Sequence, residues 1–251
     1  MVQTINTELE KAHQWTVANR LTINTSKTEL LVITNRKNDL NNSDKIILKG
    51  EVLNPVNHVR FLGCIIDENL NFKHHLIHIV NKISKHAGLL YRIKNCLPIS
   101  ARIIYYNSFV LPYLSYNIVH WGNTNAIHLN SLIMIQKRII RSISNADFLA
   151  HTTPLFYRLG ILKVEDLYKY NVVLDTYKKI KEGKYAVTHD VNTRSRNLAK
   201  RKDHKLTRCR QSLTYNGPTQ WNLIPDDLRN ITSFSLFKNK LKIFYLQKYS
   251  V

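Results

Sequence analysis

The sequence contains little glycine and little cysteine, and both shortages exclude classes of function. Its 251 residues include seven glycines, and the closest two, Gly50 and Gly63, lie thirteen positions apart. Rossmann and P-loop motifs need glycines within about five positions of one another, so neither type of nucleotide-phosphate loop is present. The three cysteines, Cys64, Cys96 and Cys209, are odd in number and widely spaced. They form no disulfide framework or paired zinc site, which indicates a reducing compartment.

Long apolar runs and acidic residues are also scarce. No run approaches the roughly 20 apolar residues of a membrane span, and the start MVQTINTELEK lacks the apolar core of a secretory signal. Against 37 lysines and arginines stand only 17 acidic residues, a net charge of +20. We therefore expect an intracellular protein, in the cytoplasm or nucleus, with a polyanionic partner. Nucleic acid is the commonest such partner, and an anionic membrane surface is the alternative.

The first 70 residues predict one helix and a small antiparallel sheet. Apolar residues recur at helical spacing over residues 4–20. Strands are predicted at residues 30–34, 45–48 and 58–67. The last is interrupted at Gly63, where glycine indicates a bend or a close backbone approach.

From residue 71 the apolar period becomes helical. One helix carries an apolar stripe from Leu76 to Leu90, a second is opened by Pro98 and closed near Pro112, and a third has Asn125 as its N-cap. A fourth is predicted over residues 164–181, and a turn at Gly217-Pro218 precedes a final helix capped by Ser233. The fold class is therefore α+β, with a small sheet followed by a mostly helical region.

Residues 178–210 are a strongly basic segment, with twelve lysines or arginines against three acidic residues. Few apolar residues occur there, so a mobile or partly helical basic linker is predicted. Its binding candidates are Arg194, Arg196, Lys200, Arg201, Lys202, Lys205, Arg208 and Arg210. The alternative is an inert tether, and the run 200–202 also matches the nuclear-import pattern.

A second basic set is predicted on helices. Lys137, Arg138 and Arg141 lie on the polar face of the third helix, and Lys82 and Lys85 lie off the apolar stripe of the first. A charged outer face is an ordinary solvent face, but the excess of one sign favours nucleic-acid binding.

Two clusters suggest metal chemistry and are better explained structurally. Asp226-Asp227 is the only pair of adjacent aspartates, and it follows Pro225, where acidic residues stabilise a helix N-terminus. His74, His75 and His78 have helical spacing, but only Asp67 and Glu68 are near enough in sequence to complete a site. We expect a solvated first helical turn and no metal site.

Several ordered segments together resemble the C-terminal part of the reverse transcriptases of non-LTR (LINE-type, Jockey-like) retrotransposons. They read WTVANRLTINTSKT at 15–28, FLGCIIDENLNF at 61–72, KISKHAGLLYRIKNCLP at 82–98, LPYLSYNIVHWG at 111–122, QKRIIRSI at 136–143, HTTPLFYRLGIL at 151–162 and GPTQWNLIPDDLRNITSFSLFKNKLKIFYL at 217–246. The resemblance covers almost the whole chain.

The resemblance implies a division of the chain and roles for some residues. Residues 1–70 correspond to the end of the palm, 71–145 to a helical thumb, 146–182 to a helical extension, and 183–251 to the basic linker and C-terminal helix. Lys27 occupies the position of the lysine that protonates the pyrophosphate leaving group, and Phe61, Leu62 and Gly63 that of the primer grip. The implied partners are RNA and RNA–DNA hybrid.

The family's YADD- or FADD-type catalytic motif does not occur in the sequence. We therefore expect a truncated reverse transcriptase that lacks the catalytic aspartates, is inactive on its own, and holds no cofactor, although the complete enzymes use Mg²⁺. It would retain template–primer binding, and its exposed palm edge would self-associate. The alternatives are a standalone basic helical RNA- or DNA-binding protein and a decayed, non-functional reading frame.

Overall fold

The computed structural model describes residues 2–34, 45–185, 198–200 and 211–250. The chain divides into two compact units, Met1–His75 and Leu76–Val251. Strands are described in the first unit, and most of the helices belong to the second. No helix of the described ranges is long and apolar enough to cross a bilayer.

The first unit contains two antiparallel hairpins. Strand β1 (Ile46–Leu48) pairs with β2 (Glu51–Leu53), and β3 (His58–Phe61) pairs with β4 (Cys64–Asp67). Each loop has two residues, Lys49-Gly50 and Leu62-Gly63, and all four have positive φ angles between 46° and 81°. Two consecutive positive φ values define the type I′ turn, whose twist matches that of paired strands.

The antiparallel pairing was predicted from sequence, but two details of that prediction are wrong. Residues 58–67 form a hairpin and not one bent strand, because the chain reverses at Leu62-Gly63. The apolar run 30–34 is not a strand, since its pairing is limited to one bridge between Leu30 and Pro55. A single bridge gives the run no continuous partner, so its backbone stays irregular.

Helix α1 (Val2–Ala18) lies against β1. Its Asn6 side chain donates to the Lys45 carbonyl and accepts from the Ile47 amide, both at 3.0 Å. The amide thereby satisfies backbone groups beside the strand. The predicted apolar face, however, buries none of its residues, and Trp15 is 62% exposed.

Asp67 shapes the loop that leads from β4 into the next helix. Its buried carboxylate accepts from the backbone amides of Asn69, Asn71 and Phe72 at 3.1, 3.1 and 2.6 Å. These bonds stabilise a segment in which Leu70 and Phe72 have φ angles of 53° and 55°. Asp67 is therefore a loop-organising residue.

The second unit is a helical assembly. Its helices are α2 (Lys73–Ile93, beginning in the first unit), α3 (Ile99–Phe109), α4 (Leu111–Ser115), α5 (Ile118–Trp121), α6 (Ala126–Ser144), α7 (Thr153–Leu159), α8 (Val164–Lys181), α9 (Leu213–Asn222), α10 (Asp226–Arg229) and α11 (Phe234–Gln247). The bounds of α8 and the Asn125 cap of α6 match the sequence predictions, and the Asn125 side chain accepts from Ile127 at 3.1 Å.

Helix α8 lies at the centre of this unit and contacts α4, α5, α6, α9 and α11. Its Val172, Val173 and Thr176 have no exposed surface. Near its end, Tyr177 stacks on Phe237 with ring centroids 4.5 Å apart. Burial on several sides explains why α8 lacks one polar face, as expected of a helix inside a core.

Gly217 and Pro218 lie inside α9, so the predicted turn at this position is wrong. A Cβ at Gly217 would lie 2.7 Å from Thr176 Oγ1 on α8, which shows how closely the two helices approach. Both Gly217 and Pro218 are buried. Tertiary packing thus overrides the low helix propensity of the Gly-Pro pair.

Candidate nucleic-acid interface

The basic face of α6 is a candidate for binding phosphates. Lys137, Arg138 and Arg141 lie within two turns, while Gln136 and Ile140 point into the core and are at most 1% exposed. Over the described ranges, no carboxylate lies within 4 Å of these three cations. Their charge is therefore free to act on an anionic ligand.

Gln136 fixes the rotation of α6. Its amide nitrogen donates to the Tyr106 hydroxyl at 3.0 Å and to the Leu162 carbonyl at 2.9 Å, and its oxygen accepts from the Val164 amide at 3.0 Å. A buried amide with these partners holds the helix in one orientation. The neighbouring Arg138 is exposed, and Lys137 is half-buried at the wall of a cleft.

The end of α6 turns sharply and presents an aromatic ring. Asn145 has φ 50°, and the Ala146 amide donates back to the Arg141 carbonyl at 3.0 Å, which ends the helix. The Ala150 amide then donates to the Asp147 carbonyl at 3.1 Å, which places Phe148 at the tip of a turn. Phe148 is 72% exposed.

Two clefts flank this turn, and Arg141 lines both. A cleft of about 320 Å³, the aromatic cleft, is lined by Tyr91, Lys94, Arg138, Arg141, Asp147 and Phe148, among others. A second cleft, of about 430 Å³, is lined by Lys137, Arg141, His151, Thr152, Lys163 and Glu165, among others. The arrangement combines cations with exposed ring surface, which are the two components of nucleic-acid binding sites that track a strand.

Lys82 and Lys85 are exposed on α2, as predicted. Lys82 shares a helix face with His86, whose Nδ1 lies 3.0 Å from the Tyr105 hydroxyl and whose ring stacks on Phe109. Burial raises the pKa of the Tyr105 phenol above its usual value. This face is a second basic and aromatic surface of the same unit.

The residues assigned by resemblance to catalysis and primer contact lie in the first unit. Lys27 is exposed at the end of a short 3₁₀ helix, Thr25–Lys27. Phe61 and Leu62, at the β3–β4 turn, are 61% and 73% exposed. Their exposure leaves the turn accessible to a ligand.

Most of the basic linker lies outside the described residues, including Arg194, Arg196, Arg201, Lys202, Lys205, Arg208 and Arg210. Lys200 is described and exposed. Beside it, buried Ala199 exchanges two hydrogen bonds with the Asn222 side chain, at 2.9 and 3.1 Å. The segment 198–200 is therefore attached to α9, whereas the sequence predicted a mobile or partly helical linker and no such attachment.

The histidine cluster differs from its predicted solvated state. His75 is buried and its Nδ1 accepts from the Ile65 amide at 3.3 Å, while His74 stacks on His58 with centroids 4.5 Å apart. The difference arises because β3 and β4 cover this helical turn. No group of three metal-ligating side chains is found in the described ranges.

The aspartate pair has the predicted structural position. Asp226 and Asp227 form the first turn of α10, and Asp226 pairs with Arg229.

Sequence reasoning missed Tyr91, Lys94 and Phe148. The available signal was the pair Phe148-Leu149, two large apolar residues in a polar segment that follows a helix end. An apolar pair in such a segment is normally buried, so its exposure became informative only with the structure.

Comparison with known proteins gives three curated relatives. The chain is 26% identical over 162 residues to the RNA-directed DNA polymerase from mobile element jockey of Drosophila funebris, which is 63% of this chain and 17% of that protein. The jockey RNA-directed DNA polymerase of Drosophila melanogaster is 24% identical over 162 residues, again 63% of this chain and 17% of that protein. The probable RNA-directed DNA polymerase from transposon X-element of D. melanogaster is 24% identical over 161 residues, 62% of this chain and 17% of that protein.

The chain thus spans about a sixth of the length of the curated relatives it matches. No protein-family model matches the chain. No solved structure matches it either. The three relatives confirm the resemblance predicted from the ordered sequence segments. Over about 63% of its length, the chain is homologous to a region of the reverse transcriptases of jockey-like, non-LTR retrotransposons.

Proposed function

We propose that this chain binds nucleic acid through phosphates, as the part of a reverse transcriptase that holds the template–primer. The observation that carries the proposal is the basic face of α6, where Lys137, Arg138 and Arg141 have no carboxylate within 4 Å in the described ranges. The curated relatives of the chain are RNA-directed DNA polymerases, which are enzymes that act on nucleic acid.

The favoured ligand is an RNA–DNA hybrid. Residues 71–145 would act as the thumb, with α6 lying along the hybrid and α2 beside it. A-form duplexes display their backbones and 2′-hydroxyls to side chains across a shallow minor groove, so recognition depends on shape and charge. Lysines and arginines on a helix suit such sequence-independent contacts.

The first unit would contact the primer. The β3–β4 turn exposes its backbone and the Phe61 and Leu62 side chains. By the resemblance, this turn would approach the primer terminus and Lys27 would act at the leaving group in the complete enzyme. Neither role is needed for the binding proposed for α6.

The basic linker is a second contributor. Twelve cations against three acidic residues repel one another unless a polyanion screens them. Attachment of Ala199 to Asn222 places Lys200 at the surface of the helical unit. The linker would therefore extend the contact beyond α6.

A paired charge experiment tests the role of α6. The double variant Lys137→Gln/Arg138→Gln removes two cations from the face, and Lys238→Gln/Lys240→Gln removes two exposed cations from α11. Affinity for a labelled RNA–DNA hybrid is measured at several salt concentrations. Each lost phosphate contact lowers the magnitude of the log–log salt slope by about 0.7–0.9. We expect this decrease for the α6 variant only.

A third variant tests the basic linker in the same assay. Glutamine at Lys200, Arg201, Lys202, Lys205, Arg208 and Arg210 removes six cations. If the slope changes for this variant but not for the α6 variant, binding belongs to the linker. Equal effects of the α6 and α11 variants would mean that only net charge matters, and the proposed interface would be wrong.

A further inference from the structure

The turn after α6 exposes a phenylalanine that the fold does not use. Phe148 is 72% exposed, and the turn that carries it is fixed by the Ala150–Asp147 backbone bond and by Arg141 Nε, which donates to the Ala150 carbonyl at 2.9 Å. A single exposed apolar side chain is ordinary on a protein surface. Phe148 is informative because it lines a cleft together with a second exposed ring and two arginines.

A second ring borders the same cleft. Tyr91, near the end of α2, is 63% exposed, and Lys94 Nζ lies 4.8 Å from its ring centroid. Together with Phe148 it lines the aromatic cleft of about 320 Å³. This volume is near the lower limit of about 300–1,000 Å³ for small-ligand pockets, so it suits one planar group and not a double helix.

The charges around the cleft separate two kinds of ligand group. Arg138 and Arg141 lie at its wall and attract phosphate, whereas the carboxylate of Asp147 repels it. A carboxylate accepts hydrogen bonds from the N–H groups of base edges. A nucleotide satisfies both requirements if its phosphates lie on the arginines and its base enters beside Asp147.

We infer that the aromatic cleft binds an unpaired base of single-stranded RNA or DNA, stacked on Phe148 and Tyr91. The inference rests on the proposed function and deepens it, since it adds a preference for single strands to phosphate binding along α6. Bases in a duplex are stacked on one another and their faces are not available, so only a single strand reaches these rings.

The test compares Phe148→Ala with Phe148→Tyr, which retains a ring. Each variant and the original protein are titrated with a labelled single-stranded oligo(rA) and with an RNA–DNA hybrid of equal length. Stacking on an aromatic side chain contributes about 1–3 kcal/mol per base. We expect Phe148→Ala to weaken single-strand binding by about 5- to 150-fold, Phe148→Tyr to retain it, and neither to affect the hybrid.

A fluorescent base provides a direct readout of stacking. With 2-aminopurine in the single strand, the original protein and Phe148→Tyr should quench its emission, and Phe148→Ala should quench it less. Tyr91→Ala should also reduce the quenching. Because Phe148 is exposed, its replacement should leave the thermal transition unchanged, which controls for folding.

The outcomes distinguish the two proposals. If Phe148→Ala binds the single strand as tightly as the original protein while Lys137→Gln/Arg138→Gln weakens binding, the inference is wrong and the proposed function stands. If Phe148→Ala loses affinity equally for the single strand and for the hybrid, the inference is also wrong. Absence of binding to any nucleic acid by the original protein would refute the proposed function itself.

Discussion

Arg141 donates from Nε to the carbonyl oxygen of Ala150 at 2.9 Å, and this bond joins the charged face of α6 to the turn that carries Phe148. A hydrogen bond from a charged donor contributes about 1.5–3 kcal/mol. The guanidinium therefore combines two roles, charge and support of the turn. Lysine retains the first role but lacks the Nε–H group that provides the second.

Arg141→Lys should consequently weaken single-strand binding about 3- to 10-fold at unchanged salt slope, because the charge stays and the turn loosens. Lys137→Arg is the matched control and should have no such effect. Fluorescence anisotropy at several salt concentrations measures both quantities. An affinity in Arg141→Lys equal to that of the original protein would mean that the residue acts by charge alone and would contradict its support of the turn.

Two glycines in helices should respond oppositely to alanine. At Gly217 the added Cβ would lie 2.7 Å from Thr176 Oγ1, and Thr176 has no exposed surface. Gly217→Ala should lower the free energy of unfolding by about 1–3 kcal/mol through overpacking.

At Gly88, inside α2, no described atom outside the helix's own neighbouring backbone lies within 4 Å of the Cβ position. Gly88→Ala should therefore raise the free energy of unfolding by about 0.5–1 kcal/mol. Urea denaturation of the two variants measures whether the free energy of unfolding falls in Gly217→Ala and rises in Gly88→Ala. Stabilisation by Gly217→Ala would contradict the close approach of α8 and α9.

Buried tyrosines should make the protein sensitive to alkali. Burial raises the pKa of Tyr168 and of Tyr170 to about 12, and it also raises the pKa of Tyr106 and Tyr245. Burial, followed by the hydrogen bond to Asp166, raises the pKa of Tyr249. Between the ordinary pKa near 10 and these values, the folded state retains protons that the unfolded chain has lost.

The contribution of these tyrosines to the free energy of unfolding should therefore be constant below about pH 10. Above that pH the free energy of unfolding should fall, by at most about 1.4 kcal/mol per pH unit for each tyrosine. Urea unfolding between neutral and alkaline pH measures the fall, and tyrosinate absorbance reports the titration. A free energy that rises through this window would show that the tyrosines are not protected by burial.

The purified chain should not extend a primer by itself. Two-metal phosphoryl transfer needs carboxylates that hold ions about 3.5–4 Å apart. The only adjacent aspartates, Asp226 and Asp227, form the first turn of α10, and Asp226 is paired with Arg229. Primer extension on an RNA template with Mg²⁺ is the assay, with heat-denatured protein as the control. Metal-dependent synthesis above that control would contradict the prediction.

Self-association should depend on the exposed side of the first unit. Helix α1 has no buried residue, and Trp15 is 62% exposed. Trp15→Gln should shift the protein towards monomer, as measured by sedimentation velocity. Ile127→Gln, which removes a 77% exposed apolar residue from α6, is the control. An unchanged distribution in Trp15→Gln would assign any association to another surface.

Helices with a regular apolar period could be predicted from the sequence. The stripe from Leu76 to Leu90 and the bounds of α8 follow from local spacing, because residues three and four apart share a face whatever the tertiary structure. The basic face of α6 was predicted for the same reason. Its three cations, Lys137, Arg138 and Arg141, lie close together in sequence and need no long-range contact to be brought together.

Features that depend on distant contacts could not be predicted in this way. The helical state of Gly217-Pro218 depends on Thr176, 41 positions earlier, and the aromatic cleft depends on α2 approaching the turn after α6. Exposure of Phe148 is likewise a property of the turn that Arg141 supports. The cations of the candidate site could thus be predicted from the sequence, whereas the exposure of its aromatic rings could not.

The cations on α6 without a carboxylate within 4 Å in the described ranges have a kinetic consequence. An incoming phosphate does not have to break an ion pair, so the encounter is governed by long-range attraction, which accelerates association and weakens steeply as salt shortens the Debye length. Departure is governed by short-range contacts, which salt affects much less. Salt should therefore slow the capture of a strand more than it shortens the residence time of a strand already bound.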